Sequence, residues 1–310
     1  MAMIKYDDNK LPYIDLGLDY RIQMETEEYD DELSLEKGKR EIREYPDIVQ
    51  NGFKQLRILL EAEKSLYIPV DEDAFLLKFL RPCKYYPDST FELIKNYYKF
   101  KVKHKQYCEN LLPETVSHVF VEGLAHLHPV RDQNGSRILI LEVGRKWVPA
   151  KASLTDIFRA VQLLLEAAMN EPRTQLNGSI VVMDVDGLSL THIAQLTPSF
   201  ACLLLEWIQK CTAMRLKAIH IVNNSYLFNV AFAIFKPFLM EKLRKRIHIH
   251  NRNWNSLKAH IDEKYLWQKY GGTFDEIHDA DGSVLAEFLN LHSKDAEREF
   301  FYCLINRKDV

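Results

Sequence analysis

The chain has 310 residues, of which 47% are hydrophobic, and its formal net charge is −3. This length suggests about two domains, and the composition excludes an intrinsically disordered chain. No apolar run approaches the roughly 20 residues of a transmembrane helix, and the N-terminus lacks the layout of a signal peptide. The five cysteines show no CxxC spacing, so the sequence predicts a reduced cytoplasmic protein without a disulfide framework or a zinc site.

The charges are distributed unevenly along the chain. Residues 25–32 are strongly acidic, whereas basic residues dominate from 236 to 252. A nucleic-acid-binding protein needs a broad basic surface, so this asymmetry argues against that class and favours one local anion-binding patch. The alternative, that both runs are ordinary solvated faces, stays open when each run is taken alone.

The first third of the chain predicts helices after a short arm. Residues 1–28 show little periodicity and are interpreted as a loose acidic arm. From residue 29 to 115 apolar residues recur at helical spacing, with Pro46 separating two helices and Pro87 at the first turn of another. We therefore expect an all-helical N-terminal subdomain without visible site chemistry.

Residues 116–275 change period and alternate between strand and helix patterns. The Asn134-Gly135 turn predicts a β-hairpin, and Ser153 and Asp156 form a capping box before an apolar helix. Further elements follow in chain order: a strand at 180–183, a helix from Thr197-Pro198, and strands at 218–222 and 247–249. Such alternation requires crossover connections and predicts a largely parallel sheet. Residues 276–310 are interpreted as a C-terminal helical tail.

The segment from Asn223 to Arg246 has an apolar body and a basic end. It is too apolar for a solvated face and too short to span a membrane. Such a segment can cover an apolar cavity and also touch an anionic membrane. The surplus of large apolar residues around it fits either a large core or a deep cavity for a hydrophobic ligand.

Three motifs resemble the CRAL-TRIO family, within it the tocopherol-transfer and retinaldehyde-binding branch. The first is the F-L-R-x-x-K-F/Y core at residues 79–85, and the second is MDVDGLSLTHIAQLTPS at residues 183–199. The third, and the most specific, is RLKAIHIVNNSYLFNVAFAIFKPFLMEKLRKRIHIH at residues 215–250. The match runs from about residue 45 to 275. One departure lies at residues 266–272, where the family's L-P-x-E-Y-G-G keeps only its leucine, tyrosine and paired glycines.

This resemblance implies an α/β lipid-binding fold: a mixed, largely parallel sheet with helices and a mobile lid helix, preceded by the helical subdomain. The lid would be residues 223–246, with a hinge at Lys236-Pro237. The lid residues expected to face the ligand are Phe228, Ala231, Ile234 and Leu239. The residues expected to form the pocket wall are Phe158, Val161, Leu165, Met183, Leu188, Leu196, Leu204, Trp207, Ile208, Met214, Leu216 and Ile219.

The resemblance also implies a basic cleft for a phosphoinositide headgroup, at Arg215, Lys217, Lys242 and Arg246. The residue pattern fits this role. Arg215 and Lys217 alternate at a strand start and share one side, while Lys242 and Arg246 share a helix face. Cations converging from two elements suit a multiply charged phosphate.

The identity of the ligand stays open at this point. Branch members use small hydroxyl side chains on the first long pocket helix to hold the ligand's polar end, and the matching positions here are Val161 and Leu165. A polar head would need another partner, such as Tyr226, Ser189 or a backbone group. Tocopherol, a retinoid, a carotenoid, a sterol-like or another isoprenoid ligand all remain possible.

Other signals favour no catalytic or metal centre. The pairs His126/His128 and His248/His250 lack nearby cysteine or carboxylate ligands. Glu166 and Glu206 in apolar helices are expected to make structural hydrogen bonds or face solvent, with Glu166 also able to line the pocket. GxSxG, P-loop and GxGxxG motifs do not occur, so we expect neither an enzyme nor a cofactor.

Two functions follow from this sequence. The first is a cytoplasmic, monomeric carrier that binds a hydrophobic ligand and delivers it while transiently bound to endosomal or plasma membranes carrying phosphoinositides. The alternative is a membrane-trafficking adaptor whose main ligand is the phosphoinositide and whose acidic arm binds protein partners.

Overall fold

The computed structural model describes residues 3–17, 19–275 and 282–292. The chain begins with a three-stranded antiparallel sheet in the order β1-β2-β3, formed by Met3–Tyr6, Pro12–Gly17 and Tyr20–Gln23. The Asp7 carboxylate closes the first turn by accepting from the N–H groups of Asn9 and Leu11, and Ile14 of β2 is fully buried. The prediction of a loose arm over residues 1–28 is therefore wrong, because strands this short carry too little periodicity to be recognised.

The acidic run that follows this sheet is held by arginines of the same chain. Glu25 lies 3.0 Å from Arg131, and Glu28 lies 2.6 Å from Arg81. Asp31 caps α1 (Glu32–Ile42) by accepting from the Ser34 N–H. These carboxylates are thus used inside the molecule.

Helices then follow as the periodicity predicts, but they continue to residue 121, six residues beyond the predicted end of the helical subdomain at 115. Pro46 and Pro87 begin two of them, at first-turn positions where a missing N–H costs nothing. The helical elements after α1 are α2 (Pro46–Ala62), α3 (Asp73–Leu80), α4 (Pro87–Lys103), α5 (Lys105–Cys108), a 3₁₀ turn (Pro113–Val116) and α6 (Ser117–Val121). Their core includes Leu56, Leu76, Phe79, Ile94 and Tyr97, all buried.

A five-stranded sheet in the order β4-β5-β6-β7-β8 forms the centre of the second part. Only β4 and β5 pair antiparallel, while β5 to β8 are parallel. This is the mixed, largely parallel α/β architecture that the sequence predicts. Its strands are Ala125–Leu127, Arg137–Glu142, Ser179–Asp184, Leu216–Val222 and Ile247–Asn251.

The helices of this part fall between and after those strands. The predicted capping box of α7 is present, with Ser153 and Asp156 each accepting from the other's backbone N–H. The helices are α7 (Leu154–Met169), α8 (Pro172–Asn177), α9 (Leu190–Ile193), α10 (Pro198–Glu206), α11 (Tyr226–Phe235), α12 (Glu241–Arg244), α13 (Trp254–Lys258) and α14 (Gly282–His292). Of the predicted tail, residues 276–281 and 293–310 lie outside the described residues.

The two faces of the sheet carry different cores, because successive side chains of a strand point to opposite sides. In β6, Ile180 and Val182 pack with Leu257 and Tyr270 on one face. Val181 and Met183 point to the other face, toward α7, α10 and α11. Across residues 3–17, 19–275 and 282–292, the helices lack the length and apolar character that a bilayer crossing requires.

Candidate functional site

An apolar cavity of about 260 Å³ lies between the sheet and the helices α7, α10 and α11. Its walls carry aliphatic and aromatic side chains together with two hydroxyl-bearing residues, Ser179 and Thr212. Every residue predicted for the pocket wall lines this cavity: Phe158, Val161, Leu165, Met183, Leu188, Leu196, Leu204, Trp207, Ile208, Met214, Leu216 and Ile219. Such an apolar cavity suits a hydrophobic molecule.

The sequence reasoning missed part of the wall. Strand β5 contributes Leu139 and Leu141, and α10 contributes Phe200. Strict alternation in β5 would have placed Leu139 and Leu141 on the same face. Leu139 and Leu141 pair in register with Val181 and Met183 of β6, so their side chains belong to one continuous apolar floor.

The lid consists of three pieces: α11, a 3₁₀ turn at Lys236–Phe238 that contains Pro237, and α12. Of the predicted lid residues, Phe228, Ala231 and Leu239 line the cavity. The expectation for Ile234 is wrong, since this side chain is not among those that line the cavity. Helical spacing of three, four and seven residues after Phe228 selects Ala231, Phe232 and Phe235 instead.

Gln209 fastens the turn of the lid to the cavity wall. Its side-chain Nε2 donates to the Phe238 carbonyl at 3.1 Å, and its Oε1 accepts from the Met240 N–H at 2.7 Å. Gln209 lies in a π-helical segment, Trp207–Cys211, that continues α10. One amide thus bonds two backbone groups that follow the predicted hinge at Lys236-Pro237.

The outer surface of the lid is apolar and open to solvent. Tyr226 is 78% exposed, Met240 is 50% exposed and Val230 is 39% exposed. Leu190 of α9, which packs beside α11, is 70% exposed. The lid therefore exposes several large apolar side chains to solvent, beside polar ones such as Asn229.

Two of the four predicted headgroup cations share a carboxylate. The Glu41 Oε2 atom lies 3.1 Å from Arg215 Nη2 and 3.1 Å from Lys217 Nζ. Arg246 donates to the Leu216 carbonyl at 2.5 Å. Burial, and secondly the nearby charge of Arg215, lower the pKa of Arg246 below its ordinary value. Arg215, Lys217 and Arg246 therefore form a cluster that already holds one anionic group.

The fourth cation, Lys242, is exposed on α12. Burial raises the pKa of the Cys83 thiol to about 11, and the charge of Lys242 acts in the opposite direction, which places Lys242 toward the loop between α3 and α4. Lys242 precedes Leu243, and Arg246 precedes Ile247, and both of these apolar residues line the cavity. The basic residues at the end of the lid are thus adjacent in sequence to residues of the cavity wall.

The partners suggested for a ligand's polar group do not lie at the cavity. Tyr226 is largely exposed on the lid, and the Ser189 hydroxyl lies 3.1 Å from His192 Nδ1. Val161 and Leu165 do line the cavity, so the α7 wall has no hydroxyl group at these positions.

The two carboxylates in apolar helices have structural partners. Glu166 Oε1 accepts from the Tyr97 hydroxyl at 2.6 Å and lies 3.4 Å from Lys101 Nζ. Glu206 pairs with Lys103 at 3.1 Å. Neither residue lines the cavity, which corrects the suggestion that Glu166 does.

The histidines of β8 belong to a larger cluster. His220 Nδ1 lies 2.9 Å from His250 Nε2, and the His248 and His260 rings lie 4.4 Å apart. Burial, and then the neighbouring histidines, lower the pKa of His220 to about 3. In the part of the chain that the structure describes, no group of three or more His, Cys, Asp or Glu residues is arranged to hold a metal ion.

Comparison with known proteins agrees with this geometry. The CRAL/TRIO domain model matches residues 122–272. Clavesin-1 from Mus musculus is 31% identical over 242 residues, which cover 77% of this chain and 68% of that protein. The chain belongs to the CRAL/TRIO family of lipid-binding proteins. A second relative, the alpha-tocopherol transfer protein-like protein of Mus musculus, is 31% identical over 264 residues, or 85% of this chain and 76% of that protein.

The family match and the site overlap only in part. The domain model covers the five-stranded sheet, the cavity and the lid, whereas Glu41 and the helices α1 to α5 precede it. Clavesin-2 from Mus musculus, 28% identical, matches 86% of this chain and 86% of its own length, so the likeness extends beyond the domain into the helical part.

Proposed function

We propose that this protein is a carrier that holds one hydrophobic molecule in the cavity and releases it at a membrane. The observation that carries the proposal is the continuous apolar lining on sheet, α7, α10 and lid. Burying an elongated hydrocarbon there removes apolar surface from water at about 25 cal/mol per Å². The name of the alpha-tocopherol transfer protein-like relative agrees with transfer of such a molecule.

The second part of the proposal is a phosphoinositide headgroup site at Arg215, Lys217, Lys242 and Arg246. Arginine and lysine side chains bind phosphate oxygens through charge-assisted hydrogen bonds. The Glu41 carboxylate, which already lies between Arg215 and Lys217, supports the assignment because it occupies the position that one phosphate would take.

Headgroup binding and lid opening are coupled in this proposal through chain connectivity. A phosphate bound by Lys242 and Arg246 displaces the chain next to Leu243 and Ile247, which line the cavity. Tyr226, Val230 and Met240 on the outer surface of the lid then enter the interfacial region of the bilayer. Ligand release is thereby favoured at the membrane over free solution. In this proposal the carrier is a monomer in the cytoplasm that binds transiently to endosomal or plasma membranes.

Native mass spectrometry of the purified protein, together with organic extraction, tests the carrier function. A stoichiometric hydrophobic molecule that disappears on denaturation is the expected result. An empty protein that nevertheless binds phosphoinositide vesicles tightly would contradict the carrier and support the trafficking adaptor.

Cosedimentation with vesicles tests the headgroup site separately. Vesicles of phosphatidylcholine with and without phosphatidylinositol bisphosphate are compared for the wild type and for Lys242→Ala combined with Arg246→Ala. We expect the double variant to lose the preference for the phosphoinositide. The matched control is Lys105→Ala combined with Lys264→Ala, which removes the same charge elsewhere and should keep it. Equal preference in both double variants would refute this site.

A further inference from the structure

Ser179 is an unusual residue in the wall of the cavity. It is the first residue of β6, it is 1% exposed, and it lines the cavity. Among the described residues, its hydroxyl oxygen has no hydrogen-bond partner. A buried hydroxyl without a partner costs about 1 to 3 kcal/mol, so an apolar residue would serve better here if the cavity were only a hydrocarbon site.

The strand geometry shows where this hydroxyl points. Ser179, Val181, Met183 and Val185 alternate along β6 and the residue that follows it, and all four line the cavity. The path from Ser179 to Val185 covers six residue steps, which at about 3.3 Å each is about 20 Å. Ser179 thus lies at one end of an elongated apolar cavity.

The second hydroxyl of the lining is engaged differently. Thr212 Oγ1 donates to the Trp207 carbonyl at 3.1 Å, which leaves its oxygen able only to accept. The indole N–H of Trp147, a lining residue farther along the wall, already donates to the Ala152 carbonyl at 2.9 Å. The Ser179 hydroxyl is free both to donate and to accept.

We propose that Ser179 binds the single polar group of the carried molecule, and that this group is uncharged. The proposal rests on the carrier function and narrows it to elongated apolar molecules with one terminal hydroxyl or carbonyl, such as isoprenoid or sterol-like alcohols, aldehydes and ketones. The cavity lining contains no charged side chain, and an unpaired charge buried in it would be strongly disfavoured.

A matched pair of probes tests the proposal. Phytol and phytane share one branched C20 skeleton, to which phytol adds a terminal hydroxyl and one double bond. Both can be titrated against protein loaded with the apolar fluorophore diphenylhexatriene, and the Ser179→Ala variant separates the effect of the hydroxyl from that of the double bond. The wild type should prefer phytol by about fivefold to tenfold, the value of one hydrogen bond. Ser179→Ala should bind phytane as before and lose that preference. Because Ser179→Ala removes an unpaired hydroxyl, the variant should fold.

The outcomes distinguish a failure of the proposed role of Ser179 from a failure of the proposed carrier function. The control is Ser199→Ala, at an exposed serine of α10 that does not line the cavity, and this variant should keep the preference for phytol. Equal binding of phytol and phytane by the wild type, or a preference that survives Ser179→Ala, would overturn the role of Ser179 while leaving the carrier intact. Displacement of the fluorophore by neither probe would overturn the carrier function, and the role of Ser179 with it.

Discussion

Helix α7 and the lid enclose the same cavity but are held by different chemistry. On α7, Glu166 follows the lining residue Leu165 and is fixed by buried contacts to Lys78, Tyr97 and Lys101 from the helical part. The lid rests on apolar side chains, and the Gln209 amide connects its turn to the cavity wall by two hydrogen bonds. Buried ion pairs therefore fix α7 to the helical part, whereas the lid is held mainly by apolar contacts, which a bilayer can replace.

For the proposed carrier, this difference predicts that the lid moves and that α7 stays in place. Burial alone would raise the pKa of Glu166, but the charges of Lys101 and Lys78 hold it below its usual range. Pulling α7 away would leave these charges unpaired in the interior, which costs several kcal/mol. Opening the lid exposes apolar surface, and a membrane offsets that cost.

The largest effect on stability is expected from removing the carboxylate that fixes α7. Glu166→Leu leaves Lys78 and Lys101 buried without their carboxylate, and the free energy of unfolding should fall by about 3 to 5 kcal/mol. Urea denaturation measures this loss. The control is Glu241→Gln, which removes an exposed pair with Lys245 and should cost less than about 1 kcal/mol. Similar losses of unfolding free energy in both variants would refute the claim that buried ion pairs fix α7.

The face of the sheet opposite the cavity should be sensitive to acid, because His220 lies there in a crevice with Ile180 and Ala218. The folded-state pKa of His220 is about 3, whereas the unfolded value is about 6.5, so the unfolded chain binds more protons as the pH falls. Stability is therefore present above pH 6.5 and is lost below it, by about 2 kcal/mol at pH 5 for this group. The crevice beside His220 also contains His260, Glu41, Asp132, Lys37 and Lys217.

Unfolding at pH 7 and pH 5 isolates this contribution. The decrease in unfolding free energy should be about 2 kcal/mol smaller in His220→Gln than in the wild type. His118→Gln changes a histidine outside the cluster and should leave the decrease as it is. An unchanged decrease in His220→Gln would show that another group causes the acid sensitivity.

Loss of the Gln209 contact should increase the rate at which a bound ligand leaves the cavity. Gln209→Ala removes two hydrogen bonds to the turn of the lid, and we expect diphenylhexatriene to leave the protein about tenfold faster, which corresponds to about 1.4 kcal/mol. Stopped-flow transfer to phosphatidylcholine vesicles measures the rate. Gln195→Ala alters an exposed glutamine and serves as the control. An unaltered exit rate would mean that Gln209 does not restrain the lid.

The smallest effect concerns the anion already present at the basic cluster. Glu41→Gln frees Arg215 and Lys217 from their shared carboxylate and should raise affinity for phosphoinositide vesicles about threefold, which is the size of a partly exposed ion pair. Glu36→Gln, on the same helix and paired with Lys39, should have no effect. Weaker vesicle binding by Glu41→Gln would show that Glu41 supports the cluster and does not compete with the headgroup.

Elements with strong periodicity could be predicted from the sequence. The split at Pro46, the capping box at Ser153 and the strand at 180–183 each follow from local rules of backbone geometry. The predicted wall residues came from the resemblance to the CRAL-TRIO family, and they line the cavity. The local sequence pattern is enough to predict a helix or strand when its apolar residues keep one period over the whole element.

The features that sequence could not supply depend on long-range contacts or on irregular backbone. Glu41 meets Lys217 from 176 residues away, and no local pattern indicates such a pair. Gln209 reaches the lid from a π-helical segment, where the period shifts. Ser179 looks like an ordinary strand start until the cavity is seen, and Ile234 was chosen where the helical period selects Phe235.

The central claim is that the lid opens in response to an anionic membrane, and one measurement tests it most directly. Protein loaded with diphenylhexatriene is mixed with phosphatidylcholine vesicles that contain or lack phosphatidylinositol bisphosphate, and the rate of transfer is followed by stopped-flow fluorescence. The account predicts faster transfer to the vesicles with phosphoinositide, and loss of that acceleration in Lys242→Ala combined with Arg246→Ala. Equal rates to both kinds of vesicle in the wild type would contradict it.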